Sequence, residues 1–203
     1  MNEYISNFRS VVAEQRWLQG AWQRFGNDGH GNDGRHYLCL AAAWGKPGEI
    51  RGVGDCPVGL FPQWLFELMP TLDDGVSAED VPWLFQGFAD RAEAMAKLDD
   101  AAWEHIRTGF MIASIRQAIE IAAPVQPDPK PAYWQKVLDA CEQVIDALQG
   151  NVDLEAAKAA AKAAWAAEAA KAWAEAAWAA EAAAWSEAAW AAAYRKLSET
   201  LFA

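Results

Sequence analysis

The side chains best suited to hold a metal lie in the first third of the chain: His30, His36, Cys39 and Cys56, spaced H-x5-H-x2-C-x16-C. Two imidazoles and two thiolates make a tetrahedral zinc set, and a metal-dependent enzyme or ligand binder is one use for it. The spacing matches no standard zinc knuckle, and Cys39 sits in an apolar run where a buried cysteine is ordinary. The four are metal candidates only, and no metal or cofactor is expected. Between them, Gly26-Asn27-Asp28-Gly29 recurs as Gly31-Asn32-Asp33-Gly34. Asp28 and Asp33 could offer oxygens to calcium, but glycine-rich calcium repeats need many stacked copies, so a tight hairpin turn is the better reading.

Paired carboxylates occur at Asp73-Asp74 and Asp99-Asp100. Both pairs read as helix starts, where a carboxylate accepts orphan amide hydrogens and meets the positive end of the dipole, rather than as acid and base partners. His105 follows Trp103 on a helical pattern and reads as structural. Ser114 and Cys141 lie on apolar faces without a base in sequence. The chain carries no phosphate loop, dinucleotide fingerprint or nucleophile elbow, so the expectation is a protein that is not an enzyme.

The elements that must position these residues are helical. Phe8, Val11, Val12, Leu18 and Trp22 lie near helical spacing, which predicts a first helix closed by Gly26. Residues 36–44 are a short apolar segment, and GKPGEIRGVGDCPVG is a loop rich in glycine. A helix over residues 61–69 is expected to stop at Pro70. Asp80 and Pro82 open another, with Val81, Leu84, Phe85, Phe88, Ala92 and Met95 on one face and Trp83 off it, toward a second layer.

After Asp99-Asp100, the residues Trp103, Ile106, Phe110, Ile112, Ile115, Ile119 and Ile121 wrap a helix on most sides, which predicts a place at the centre of the core. Residues 123–131 hold four prolines and form a stiff linker. Beyond it Trp134, Val137, Leu138, Cys141, Val144, Ile145 and Leu148 make an amphipathic stripe ended by Gly150. The expected fold is all-α: a helical front domain over residues 1–130, then an antiparallel helical hairpin over 131–203 whose second arm is one long Ala/Trp-rich helix.

That second arm, residues 153–203, is alanine studded with tryptophan and spaced charges, without glycine or proline. Alanine loses least on entering a helix, so about 50 such residues predict a rod of roughly 75 Å. Three similar units lie within it: AKAAWAAEAAK, AEAAWAAEAAA and SEAAWAAAYRK. At about 100° per residue, Trp165, Trp190, Tyr194, Leu197 and Leu201 fall near one direction, while Trp178 and Trp185 point nearly opposite. A front domain of about 35–40 Å cannot shield the whole rod. Three coverings of the indoles are open, the chain's own core, another copy or a foreign protein, and Trp165, Trp173, Trp178, Trp185, Trp190 and Tyr194 are the expected partner-binding residues.

From residue 131 to 196, the AYWQKVLDACEQVIDALQGNV lead-in and the AAKAAAKAAWAAEAA units resemble the alanine-rich helical repeat of the Imm-5-like immunity proteins and of uncharacterised phage proteins with alanine-rich tails. The segment LCLAAAWGKPGEIRGVGDCPVG is similar to a Cys-apolar-Gly-loop-Cys-Pro pattern of some phage proteins. The resemblance implies a mobile-element protein that binds and neutralises a toxin or a host defence factor.

Charge and composition narrow the partners. The net charge is −11, with 17 basic against 28 acidic residues. Phosphate binding needs clustered Lys and Arg, so direct nucleic-acid binding is not expected, and the acidic surface suits solubility or a basic protein partner. Three cysteines argue against a disulfide framework. No stretch reads as a membrane span, and the first 20 residues hold too many charges for a secretory signal, so a cytoplasmic protein is expected, in the host bacterium if phage-encoded. The leading reading is a non-enzymatic, protein-binding inhibitor acting by steric occlusion. The alternatives are a structural homo-oligomerisation module and the metal-dependent enzyme of the residue 30–56 cluster.

Overall fold

The computed structural model describes residues 2–27, 31–126, 130, 132–151 and 187–202. The described residues are predominantly helical, as the all-α expectation requires, with one two-stranded sheet added. They divide into two compact units, residues 1–103 with 190–203, and residues 104–189. The division does not fall at the proline-rich stretch expected to separate residues 1–130 from 131–203: it comes near the start of the long helix over residues 100–122, and residues 190–203 return to the first unit.

The first unit opens with α1 (Glu3–Ala13), capped by the Asn2 side chain, which accepts the Tyr4 amide hydrogen at 2.9 Å. Ile5, Phe8 and Val11 form its buried face. The helix predicted to continue to Gly26 ends here, since Gln15 adopts a φ of 54° and turns the chain out. Backbone pairing explains the early stop: the Leu18 amide donates to the Leu38 carbonyl and the Leu38 amide to the Arg16 carbonyl, both at 3.0 Å. The Arg16 guanidinium adds a bond to the His36 carbonyl at 3.1 Å. Leu18 and Trp22 thus have helical spacing but follow the sheet.

That sheet is the hairpin expected around the doubled Gly-Asn-Asp-Gly sequence. Strands β1 (Gln23–Asn27) and β2 (Gly31–Leu38) pair antiparallel, Gln23 opposite Leu38, with an irregularity between Phe25 and Asn27. The tip, including Asp28, lies outside the described residues. Beyond β2 the chain turns through buried residues 39–43 into a 3-10 turn, Ala42–Trp44. The glycine-rich loop follows, with a second 3-10 turn at Val53–Asp55. Trp22 anchors the loop by donating its indole hydrogen to the Ile50 carbonyl at 2.7 Å.

Helix α2 (Gln63–Gly75) carries Pro70 inside it and runs past the stop predicted there. An internal proline costs about 3 kcal/mol through a lost backbone bond and a clash. Leu65, Phe66, Met69 and Leu72 are all buried, and the apolar area they remove from water offsets that cost. Helix α3 (Val81–Met95) starts with Pro82 in its first turn and buries Val81, Leu84, Phe85, Phe88 and Ala92, as its periodicity indicates. The core is aromatic: Trp44 stacks on Phe8 at 4.0 Å, and Phe8 on Phe85 at 5.7 Å, while Phe61 meets the Trp44 edge at 4.9 Å.

Helix α4 (Asp100–Ala122) begins with the predicted cap, the Asp99 carboxylate accepting the Ala102 amide hydrogen at 2.8 Å. It is not a central core helix. Along it Trp103 and Gln117 are buried, whereas Ile106, Phe110, Ile112, Ile115, Ile119 and Ile121 are only half-buried and Met111 is exposed. Apolar groups on every side of a helix can be covered only if neighbours surround it, and a small unit leaves much of each helix at its surface.

In the second unit α4 leads into a 3-10 turn at Ala123–Val125 and then α5 (Ala132–Leu148). Trp134 and Ile145 are the buried members of the predicted α5 stripe. Gly150, at φ 78°, ends the helix as expected: the Asn151 amide reaches the Asp146 carbonyl at 2.9 Å and the Gly150 amide the Ala147 carbonyl at 3.0 Å, a Schellman cap. Residues 152–186, which hold most of the predicted rod and its hairpin with α5, lie outside the described residues. Helix α6 (Glu187–Phe202) carries the end of the alanine-rich segment. Among the described residues no helix is long and apolar enough to cross a membrane.

Candidate functional site

The metal candidates do not form a described site. His30 lies outside the described residues, and among those described no three His, Cys, Asp or Glu side chains gather to hold a metal. Cys39 is buried just past β2, and burial, reinforced by the Asp73 carboxylate, pushes its thiol up to about 11. Cys56 sits half-buried in the loop with its sulfur 3.8 Å from the Phe61 carbonyl, and burial raises its thiol too. A thiol held protonated is a poor metal ligand and a poor nucleophile. Iodoacetamide applied to the native protein is expected to modify half-buried Cys56 and Cys141 and to spare Cys39 until denaturant is added. Mass-spectrometric mapping that finds Cys39 alkylated as fast as Cys56 would contradict its burial.

The tryptophans singled out for partner binding divide by position. Trp165, Trp173, Trp178 and Trp185 lie outside the described residues, and Trp190 lies in α6 with its side chain outside them. Tyr194 is described, and its own chain receives it. A methyl group built on Gly75, at the end of α2, would overlap the Tyr194 ring, and one built on Gly87, within α3, would overlap the Phe202 ring. Two glycines therefore leave notches that two aromatic side chains of α6 fill.

Polar contacts lock both ends of this docking face. The Arg195 guanidinium pairs with the Asp80 carboxylate and lies over the Trp83 ring, 4.8 Å from its centroid. Asp80 is positioned by Ser77, whose hydroxyl donates to its carboxylate at 2.9 Å. At the other end Arg91 donates Nε–H to the Phe202 carbonyl at 2.9 Å and covers the Phe202 ring at 4.8 Å. Phe202 meets Phe88 and Trp83 edge-on at 5.2 and 5.6 Å. Ala191 and Ser198 are buried in the same face, where short side chains let the helix backbone approach closely, and Ala193 is buried about 200° round the helix.

Beside Phe202 the surface holds a cleft of about 330 Å³ lined by Trp83, Gln86, Asp90, Arg91 and Glu199. Its polar groups are already engaged: Gln86 donates to Asp90 at 2.7 Å, and Glu199 lies 3.6 Å from Arg195. It offers contact surface and no nucleophile paired with a base.

A second arrangement surrounds Asp73. The expected cap at a helix start is in fact in the last turn of α2, where its carboxylate faces the negative end of the dipole. Its Oδ2 accepts the Leu40 amide hydrogen at 3.0 Å, and its Oδ1 finds no partner among the described residues. Burial drives the carboxyl up to about 7; the Leu40 bond opposes the rise and Asp74 adds to it. Gln19 donates to the carbonyls of Asp73 and Val76 at 2.6 and 2.8 Å, and the Gly20 amide donates to Asp74 Oδ1 at 2.8 Å. This turn of α2 ties the segment after α1 to the segment after β2. Asp73 is thus a buried acid within a structural knot.

Gly75, Gly87, Arg91 and Phe202 escaped the reading of the sequence. A signal existed for Gly87: a glycine inside a strong helical pattern costs about 1 kcal/mol against alanine and usually has a packing reason. Asp73 also had one, since Phe66, Met69, Asp73 and Val76 share one helical face. No family model, curated protein or solved structure matches this chain.

Proposed function

We propose that this chain is a non-enzymatic protein-binding inhibitor, encoded by a phage or other mobile element, that occludes a toxin or host defence factor in the bacterial cytoplasm. One observation carries the reading. The repeat unit SEAAWAAAYRK lies largely in α6, and there it docks: Ala191 and Ala193 are buried, its tyrosine fills a glycine notch and its arginine pairs across the contact. The sister units AKAAWAAEAAK and AEAAWAAEAAA share that build, with alanine for close approach and an indole as anchor. The acidic balance of the chain favours a partner with a basic face and disfavours nucleic acid. The likeness to Imm-5-like immunity proteins points to the same kind of activity.

The test replaces Trp165, Trp173, Trp178 and Trp185 with alanine together. Affinity capture from a bacterial host expressing its defence systems is expected to retain one protein at fixed stoichiometry on the parent and to lose it on the variant. Anchoring indoles are each worth about 2 kcal/mol or more, so binding should weaken well beyond 100-fold while circular dichroism stays unchanged. A variant that unfolds would show that the indoles are core and remove the reading. Capture of the chain by itself alone would move the conclusion to homo-oligomerisation.

A further inference from the structure

The first unit is discontinuous. Residues 1–103 build a surface, and residues 190–203 return to complete it after the intervening residues 104–189 have formed a unit of their own. Among the described residues, the groups that receive α6 belong to the earlier segment: Gly75 and Gly87 as notches, Asp80 as the carboxylate for Arg195, Trp83 and Phe88 as aromatic walls, and Arg91 as the donor to the Phe202 carbonyl. Every group inserted belongs to α6. The division is that of a helix bound in a groove, with aromatic anchors at Tyr194 and Phe202 and charge-assisted contacts beside each.

We propose that this groove is an exchange site, which accepts α6 of a second copy of the chain as well as its own, so that two copies join by reciprocal exchange of the helix. A second copy carries an occupant identical in every contact, so the fit costs nothing in complementarity. What favours the internal helix is the local concentration set by the intervening chain, and an excursion as long as residues 104–189 keeps that concentration finite. Exchange of an identical element is a low-cost route to a dimer for that reason. The inference concerns α6 and its groove, and stands independently of what the upstream tryptophans bind.

Two full-length variants test it. One lacks the inserted groups (Tyr194→Ala with Phe202→Ala), and the other has a filled groove (Gly75→Leu with Gly87→Leu). Each alone is expected to be monomeric by light scattering, since no complete groove and helix pair remains. An equimolar mixture is expected to double in mass, because the helix of the second variant fits the groove of the first. A synthetic peptide of residues 187–203, titrated into the first variant, reports whether its groove is formed. Saturable peptide binding with a mixture that stays at the mass of one chain overturns the proposal. So does absence of peptide binding, which would mean that α6 is not a separable element.

Discussion

Replacing Trp44 with alanine is expected to lower the unfolding free energy by about 3–5 kcal/mol, a large part of the 5–15 kcal/mol typical of a domain. The indole is fully buried, stacked on Phe8 at 4.0 Å and met edge-on by Phe61 at 4.9 Å and Phe88 at 6.5 Å, so the vacancy would be walled by rigid rings that collapse poorly. A W44F substitution separates packing from polarity. The indole Nε1–H finds no acceptor among the described residues, and phenylalanine keeps a ring while removing that orphan donor. It should therefore cost less than about 1.5 kcal/mol. Guanidinium denaturation of the three proteins decides the matter, and equal losses in both variants would mean that the indole hydrogen is bonded after all.

Asp73→Asn is expected to change how stability depends on pH. The carboxyl keeps its proton up to about 7 in the folded chain, whereas an unfolded aspartate gives it up near 4. Between these values the folded state binds more protons than the unfolded one, so stability falls as pH rises through that window and stays reduced above it. The charged groups involved are Asp74, which raises the carboxyl further, and the Cys39 thiol, which the Asp73 charge raises in turn. The amide of the variant still accepts the Leu40 hydrogen and carries no charge. It should match the parent near pH 4 and exceed it above pH 7 by an amount on the order of a few kcal/mol, since each tenfold difference in proton affinity between the folded and unfolded chain is worth about 1.4 kcal/mol. Thermal melts of both proteins from pH 4 to 8 give the difference directly. A gap that does not change with pH would mean that Asp73 is ionised throughout.

Both predictions rest on groups whose surroundings, more than their identity, define them. The helical periodicity of α3 and α5, the hairpin at the doubled Gly-Asn-Asp-Gly sequence, the Asp99 cap and the Gly150 stop were all legible along the chain. Each depends on residues within one or two turns of one another, where propensity and capping act. The short α1, the passage of α2 through Pro70 and the half-exposure of α4 were not. Each was settled by surroundings distant in sequence: Leu38 pairing with residues 16–18, the apolar area buried by Met69 and Leu72, and the incomplete burial of Ile112 and Ile115.

The candidate docking surface shows the same split. By itself the sequence determined that an alanine-rich helix with aromatic anchors must bury them somewhere, because alanine favours helix and indoles leave water at a gain. Only the tertiary structure decided that Tyr194 and Phe202 fit over Gly75 and Gly87, more than 100 residues earlier in the chain. A notch is a missing side chain, and it becomes a binding feature only when folding brings the ring that fills it.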